Sequence, residues 1–221
     1  MEFRNFWLYG FHLSGILFAG YFFYLLFNKI KIKRKIKIFL GLLSMAVLFE
    51  LSIEFLFHFD SNYWVIVYSV IETVLIGVYF SEILKKENAP IIKIYYLIFT
   101  VFFVSVHLLL DVKDRFIWDG YIFTFQTVSI FLFSTIWFID LFSKLEESSL
   151  LKNPHFYFVC GLVLYYAGTE TFFLLSDLLY KNHHKLFFDV YFINSFFIIL
   201  QRIFFMLGLW RIQKNYTPFY G

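Results

Sequence analysis

The sequence predicts an all-α membrane protein, a single domain of seven transmembrane helices that covers residues 1–221. Hydrophobic residues make up 61% of the chain, and the mean hydropathy is +0.72, whereas soluble domains are closer to half apolar. Apolar stretches of about 20 residues, the length of helix that crosses a bilayer, recur along the chain. The polar segments between them are short, so we expect no separate soluble domain.

The first four predicted spans are separated by charged residues and turns. The first ends at the basic segment 28–37, the second at Asp60, the third at Lys85 and the fourth at Asp111. Asn88 and Pro90 precede the fourth span; Asn can cap the free N–H groups of a helix start, and Pro is tolerated in the first turn. These spans cover residues 6–27, 38–59, 64–84 and 91–110.

The last three spans follow the same rules. The fifth begins after Gly120, the sixth after the pair Asn153-Pro154, and the seventh after Asp189. On the sixth, Gly161 and Gly168 are seven residues apart and would let a neighbouring helix approach closely. These spans cover residues 121–142, 155–180 and 190–210.

Lys and Arg are concentrated on one side of the predicted membrane, above all in segment 28–37. The positive-inside rule makes that side cytoplasmic, with the N-terminus outside and the C-terminus inside. We therefore expect a multi-pass protein of the cell inner membrane, surrounded by the lipid bilayer. A basic segment between two spans is a topology signal, so no nucleic-acid partner is expected. Cys160 is the single cysteine, which excludes an intrachain disulfide.

Polar residues cluster by depth inside these apolar spans. At a rise of about 1.5 Å per residue, Glu50, Glu72 and Glu170 lie slightly to the outer side of the midplane, and Arg202 lies close to it. A second layer lies roughly 7–9 Å from the midplane on the outer side. Its members are His12, Glu54, His107, Gln126 and Asn194. Ionisable residues in spans are costly and usually functional, so we predict a polar, ligand-binding pocket that opens to the extracytoplasmic side.

Charge limits how these groups can coexist. Glu50, Glu72 and Glu170 cannot all be ionised, close together and unpaired at that depth. Arg202 could neutralise one of them, and the others would need a proton, a histidine partner or a bound cation. A purely structural role, in which the polar groups join helices through hydrogen bonds, is the plainest alternative.

Two further functions remain open from the residues. Glu54 and His58 are spaced i, i+4 on one helix, and together with His12 and His107 they could bind a divalent metal, zinc or iron. Such a metal could activate water, so the protein could be an integral-membrane enzyme that hydrolyses a lipid. The buried glutamates could instead relay protons or cations in a transporter. A retinal cofactor is excluded, because span 190–210 has no lysine for a Schiff base.

The sixth span carries a resemblance. Asn153-Pro154-His155-Phe156, Gly161-Leu162, Tyr165-Tyr166 and Gly168-Thr169 resemble a group of small bacterial seven-helix proteins related to the membrane input domains of sensor kinases. The resemblance implies a sensory role with a separate signalling partner protein. We therefore predict a receptor-like membrane protein that binds a small ligand or cation and signals through that partner.

Overall fold

A computed structural model describes residues 2–56, 62–109, 115–143 and 150–216, and most residues in these ranges are helical. The all-α fold class is confirmed there. A helix is present at each predicted span, and several helices extend beyond the apolar stretch that predicted them. The helices are α1 (Glu2–Phe27), α2 (Arg34–Leu56), α3 (Asn62–Ile83), α4 (Ala89–Leu109), α5 (Arg115–Ser143), α6 (Pro154–Asn182) and α7 (His184–Tyr216).

Among the described residues, five helices are long and apolar enough to cross a membrane. Their spans are Tyr9–Phe27, Lys86–Leu108, Gly120–Ser143, Pro154–Ser176 and Phe192–Asn215. Large apolar side chains cover the outside of the bundle; Leu97 is 65% exposed and Leu108 78% exposed. Such an exterior is unfavourable in water and favourable in lipid. Length, composition and this exterior indicate a multi-pass membrane protein, whereas membrane crossing by α2 and α3 and the orientation of the termini stay predictions.

The helices pack in chain order around the bundle. α1 contacts α2 and α7, α2 contacts α3, α5 contacts α6, and α6 contacts α7, so the first and last helices meet. α3 also contacts α5 directly, and α4 lies against both of them. This order brings α3, α5 and α6 together on one side of the bundle and α1 and α7 on another.

An aromatic core fills one half of the bundle. Phe158 of α6 contacts Phe205 of α7 with ring centroids 5.6 Å apart, and Phe80 of α3 contacts Phe133 of α5 at 5.1 Å. Aromatic pairs at these distances gain from edge-to-face and tilted contacts in addition to dispersion. We call the end of the bundle beside this core the basic end, because segment 28–37, residues 85–88 and the last turns of α7 lie there.

The expected close approach at the glycines of α6 is confirmed. A methyl group on Gly161 would lie 3.0 Å from Cβ of Phe204, and one on Gly168 would lie 2.4 Å from the ring of Phe197. Both neighbours belong to α7, so the two glycines shape the surface on which α6 and α7 pack.

Asn153 and Asn88 each precede a helix at the basic end, but their side chains have different hydrogen-bond partners. The Asn153 side chain accepts a hydrogen bond from the backbone N–H of His155 at 2.9 Å, which is the predicted cap of α6. Asn88 instead contacts Asp140 of α5 through Nδ2 at 3.4 Å. Lys85 donates to the same carboxylate at 2.7 Å, and this hydrogen bond, more than any other interaction, raises the pKa of Lys85 above its usual value.

The basic segment is tied to α3. Lys33 pairs with Glu82 at 3.3 Å and Lys35 pairs with it at 3.9 Å. Lys35 also donates to the Ser81 hydroxyl at 3.1 Å. A cation near the last carbonyls of a helix is favourable, so these contacts hold the segment between α1 and α2 against the end of α3.

Candidate ligand-binding site

Gln126 of α5 joins three helices in a buried hydrogen-bond network. Its side chain is 1% exposed, and its amide nitrogen donates to the Thr73 hydroxyl at 2.8 Å and to the Ser69 carbonyl at 3.1 Å, both on α3. Its amide oxygen accepts from the Tyr166 hydroxyl of α6 at 3.3 Å. Both amide hydrogens and the oxygen therefore have partners, which is what a buried amide requires.

Tyr95 extends the same network to α4. Its hydroxyl donates to the Thr73 carbonyl at 2.7 Å, while the Thr73 hydroxyl donates to the Ser69 carbonyl at 2.7 Å. Every bond has a clear donor and acceptor. A fully satisfied buried network of this kind specifies how the helices fit together, and here it fixes the relative rotation of α3, α4, α5 and α6.

Glu170 lies one helical turn beyond Tyr166 on α6, and its carboxyl group is held by α5. Thr124 donates to Oε1 at 2.8 Å and Thr127 donates to Oε2 at 2.5 Å. The helices can approach because Gly120 has no side chain; a methyl group there would lie 3.0 Å from the Phe173 carbonyl oxygen. The spacing of the two threonines, i and i+3, places both hydroxyls on the face that meets α6.

The two threonines do not saturate the Glu170 carboxyl. The Thr124 hydroxyl also lies 2.8 Å from the Gly120 carbonyl oxygen, and the Thr127 hydroxyl lies 2.9 Å from that of Phe123. A hydroxyl carries one hydrogen, so each threonine shares it between the carbonyl and the carboxyl. A carboxylate offers about four acceptor positions, which leaves capacity for a further donor or a cation.

Glu72 of α3 belongs to the same region. Its carboxyl Oε1 lies 3.5 Å from the Tyr68 hydroxyl, one turn earlier on the helix. The Glu72 carboxyl group is also close enough to the Tyr95 and Tyr166 phenols to interact with them electrostatically. The structure therefore brings three of the predicted residues, Glu72, Gln126 and Glu170, together around Tyr166.

Arg202 of α7 lies in a second polar cluster, against α1. Its Nη1 donates to the Phe11 carbonyl at 2.6 Å and to the Ser14 hydroxyl at 3.1 Å, and its guanidinium lies 4.4 Å from the centre of the Phe11 ring. A methyl group on Gly15 would lie 3.1 Å from the same nitrogen, so this glycine makes room for the arginine. That Arg202 also neutralises a glutamate stays a prediction.

The two predicted histidines lie on different sides of the bundle. His12 is half-buried on α1, with its ring 5.3 Å from that of Phe11. His107 is exposed on α4 and stacks on Phe103 at 6.2 Å. α1 packs against α2 and α7, whereas α4 packs against α3 and α5. Asn194 is 5% exposed on α7, and among the described residues its amide oxygen has no hydrogen-bond partner.

Part of the predicted metal set lies outside the described residues. Glu50 and Glu54 are in the last turns of α2, where the structure describes the backbone but not these side chains, and His58 follows the last described residue of that helix. Within the described part of the chain, no three His, Cys, Asp or Glu side chains are grouped as metal ligands. The zinc or iron site at Glu54, His58, His12 and His107 therefore stays a prediction.

Sequence reasoning missed the tyrosine and threonine hydroxyls of this site. Tyr95, Thr73, Thr124 and Thr127 were not among the predicted pocket residues, and no role was predicted for the Tyr166 hydroxyl, although Tyr166 shares a face of its span with Glu170. The i, i+3 spacing of Thr124 and Thr127 places them on one face of the fifth span, but it does not indicate which helix that face meets. Comparison of the chain with protein-family models, curated proteins and solved structures found no match, so the relation to sensor-kinase input domains stays a prediction.

Proposed function

We propose that this protein is a receptor-like membrane protein that binds a small cation at Glu170 and passes the bound state to a partner protein. The observation that carries the proposal is the Glu170 carboxyl, half-buried in an apolar helix and held by Thr124 and Thr127. A charged side chain at such a depth costs a few kcal/mol, so it needs a compensating interaction.

The charges around Glu170 favour a cation over an anion. Within the described residues, Glu170 takes part in no ion pair. Glu72 adds a second carboxyl group that is close enough to Tyr166 to interact with its phenol electrostatically. A cation at Glu170 would lower the repulsion between the two carboxyl groups and use the acceptor capacity that the threonines leave.

The ligand would enter from the side opposite the basic end. The predicted orientation makes that side extracytoplasmic. Glu72 lies at the middle of α3, and Glu170 lies just beyond the middle of α6 on the side away from the basic end. This direction suits a protein that reports on the composition of the outside medium.

α3 provides a route to the cytoplasmic side. It carries Glu72 at the proposed site and, about 15 Å further along the helix, Glu82. Glu82 pairs with Lys33 and Lys35 of the basic segment. A small movement of α3 on ligand binding would change these ion pairs, and we propose that the partner protein contacts the basic segment.

Thermal unfolding of the purified protein in detergent tests the binding step. We expect one class of cation, from Na⁺, K⁺, Ca²⁺, Zn²⁺ and small protonated amines at constant ionic strength, to raise the unfolding temperature of the wild type, because a ligand that binds only the folded state stabilises it. Glu170→Gln should abolish the shift. Glu87→Gln, a change at an exposed glutamate of the basic end, should leave it intact.

The same purified protein distinguishes the cation receptor from the metal-dependent enzyme and from the transporter. Stabilisation by no cation, or an equal shift in Glu170→Gln, contradicts the proposal. Bound zinc or iron that is lost in Glu54→Ala or His58→Ala, together with turnover of a lipid, would establish the metal-dependent enzyme instead. Cation flux into liposomes that Glu72→Gln abolishes would establish a transporter.

A further inference from the structure

Several polar atoms are buried without a hydrogen-bond partner among the described residues, and two of them belong to neighbouring rings near the basic end. They are the Tyr79 hydroxyl oxygen of α3 and Nδ1 of His155 at the start of α6. The centres of the two rings are 6.2 Å apart. Tyr79 is completely buried, so its hydroxyl cannot reach bulk water.

The surroundings of this pair are mainly aromatic. The Tyr79 ring lies 4.9 Å from that of Phe39 and 6.2 Å from that of Phe158. The Cys160 thiol is close enough to act electrostatically on the Tyr79 phenol. Aromatic carbons cannot accept a full hydrogen bond, so the hydroxyl needs another partner.

The site lies beneath the ion pairs that hold the basic segment. Lys33 and Glu82 both act electrostatically on His155, and they pair with each other at 3.3 Å. The pair of atoms is therefore close to the contact between segment 28–37 and the end of α3, whereas the proposed cation site lies further along α3 and α6.

We infer that an ordered water molecule bridges the Tyr79 hydroxyl and His155 Nδ1. Buried polar groups in native proteins are almost always hydrogen-bonded, to the protein or to water. A buried water typically joins two to four polar groups, and it can accept from the phenol while it donates to or accepts from the imidazole. The weakly polar Cys160 thiol is available as a third neighbour. This hydration site does not depend on the proposed cation binding.

Phe133 of α5 provides a control for burial. Its side chain is as fully buried as that of Tyr79, its ring lies against those of Phe80 and Tyr95, and it is not part of the proposed cation site. If burial alone governed oxidation, the two rings would be oxidised alike. If a water molecule lies beside Tyr79, that ring has a local source of water-derived radicals.

Radiolytic labelling of the wild-type protein tests the inference directly. X-ray pulses generate hydroxyl radicals from water, including bound water, and mass spectrometry locates the oxidised residues. We expect oxidation at Tyr79 and Cys160 well above that at Phe133, with oxygen-18 incorporated after pre-equilibration in labelled water. Labelling at Tyr79 no greater than at Phe133 would overturn the inference.

Stability gives a second, independent readout. Tyr79→Phe keeps the ring and removes the hydroxyl, and His155→Phe keeps a ring and removes Nδ1. With a bridging water, each change lowers the unfolding temperature by about 3 °C. The double variant loses less than the sum of the two single losses, because both substitutions act on the same water molecule. A higher unfolding temperature in Tyr79→Phe would show that the hydroxyl is unsatisfied and would overturn the inference.

Discussion

Gly168 of α6 lies directly against the ring of Phe197 of α7: a methyl group at Gly168 would be 2.4 Å from three carbons of that ring. The contact lies on the α6–α7 surface, in the turn that precedes Glu170. The position of the candidate carboxyl group relative to α7 therefore depends on the absence of a side chain at residue 168.

Gly168→Ala should destabilise the protein by about 1–3 kcal/mol, because the added methyl group must push Phe197 or α7 aside. Gly20→Ala is the matched control, since a methyl group on Gly20 of α1 would have no neighbour within 4 Å. Chemical or thermal unfolding in one detergent measures both. Equal stability of the two variants would show that α7 adapts without cost.

Gln126→Leu should cost about 1–3 kcal/mol of stability, because it leaves the buried Tyr166 hydroxyl without its acceptor. Thr100→Val removes a hydroxyl that bonds only within its own exposed helix face, to the Tyr96 carbonyl, and should change stability little. If Gln126→Leu is as stable as the wild type, the network does not determine how these helices fit together.

Arg202→Lys keeps the positive charge but loses the planar group that lies over Phe11 while donating to α1. Arginine and lysine are not equivalent at stacked sites, so we expect a loss of about 1–2 kcal/mol and weaker association of α1 with α7. Arg211→Lys, at a more exposed arginine that lies over Trp210, should cost less. Disulfide trapping between cysteines introduced on α1 and α7 would measure whether the two helices move apart in the variant.

Lys85→Met tests the ion pair with Asp140 through its pH dependence. In the folded protein, the hydrogen bond to Asp140 raises the pKa of Lys85 above its usual value of 10.5. The stability that this ion pair contributes is therefore complete below the pKa of the unfolded state and is lost as the pH rises through the pKa of the folded state. The wild type should be more stable than the variant at about pH 8, and the difference should vanish at higher pH. Lys86→Met, at the exposed neighbour, is the control and should be about as stable as the wild type at about pH 8.

The helices could be predicted to within a few residues, with clear exceptions. α7 runs from His184 to Tyr216 and α5 starts at Arg115, beyond the predicted 190–210 and 121–142. Hydropathy marks the part of a helix that can cross the hydrocarbon, whereas backbone hydrogen bonding continues through polar residues such as those after Trp210. The Asn153 cap was predictable because capping depends on neighbours in the chain.

The partners of the polar residues were much harder to predict. Depth counting placed Glu72, Gln126 and Glu170 in adjacent layers, but Thr124 and Thr127 as the residues that hold Glu170 could not be derived. Depth follows from position along one helix, whereas contact also depends on the rotation of each helix and on which helices are neighbours. Arg202 shows the same limit, since its partners Phe11 and Ser14 are nearly the whole chain away.

The sequence by itself determined the membrane character of the protein, its helices and the stripe of α6 that a neighbouring helix approaches closely, whereas the structure identifies that neighbour as α7. Apolar length and glycine spacing are local properties, and they remain the same whatever the helices pack against. Only the tertiary structure decided that α3, α5 and α6 meet around Tyr166, so that Glu72 and Glu170 share one region while Arg202 lies against α1. These contacts depend on side-chain packing between segments distant in the chain.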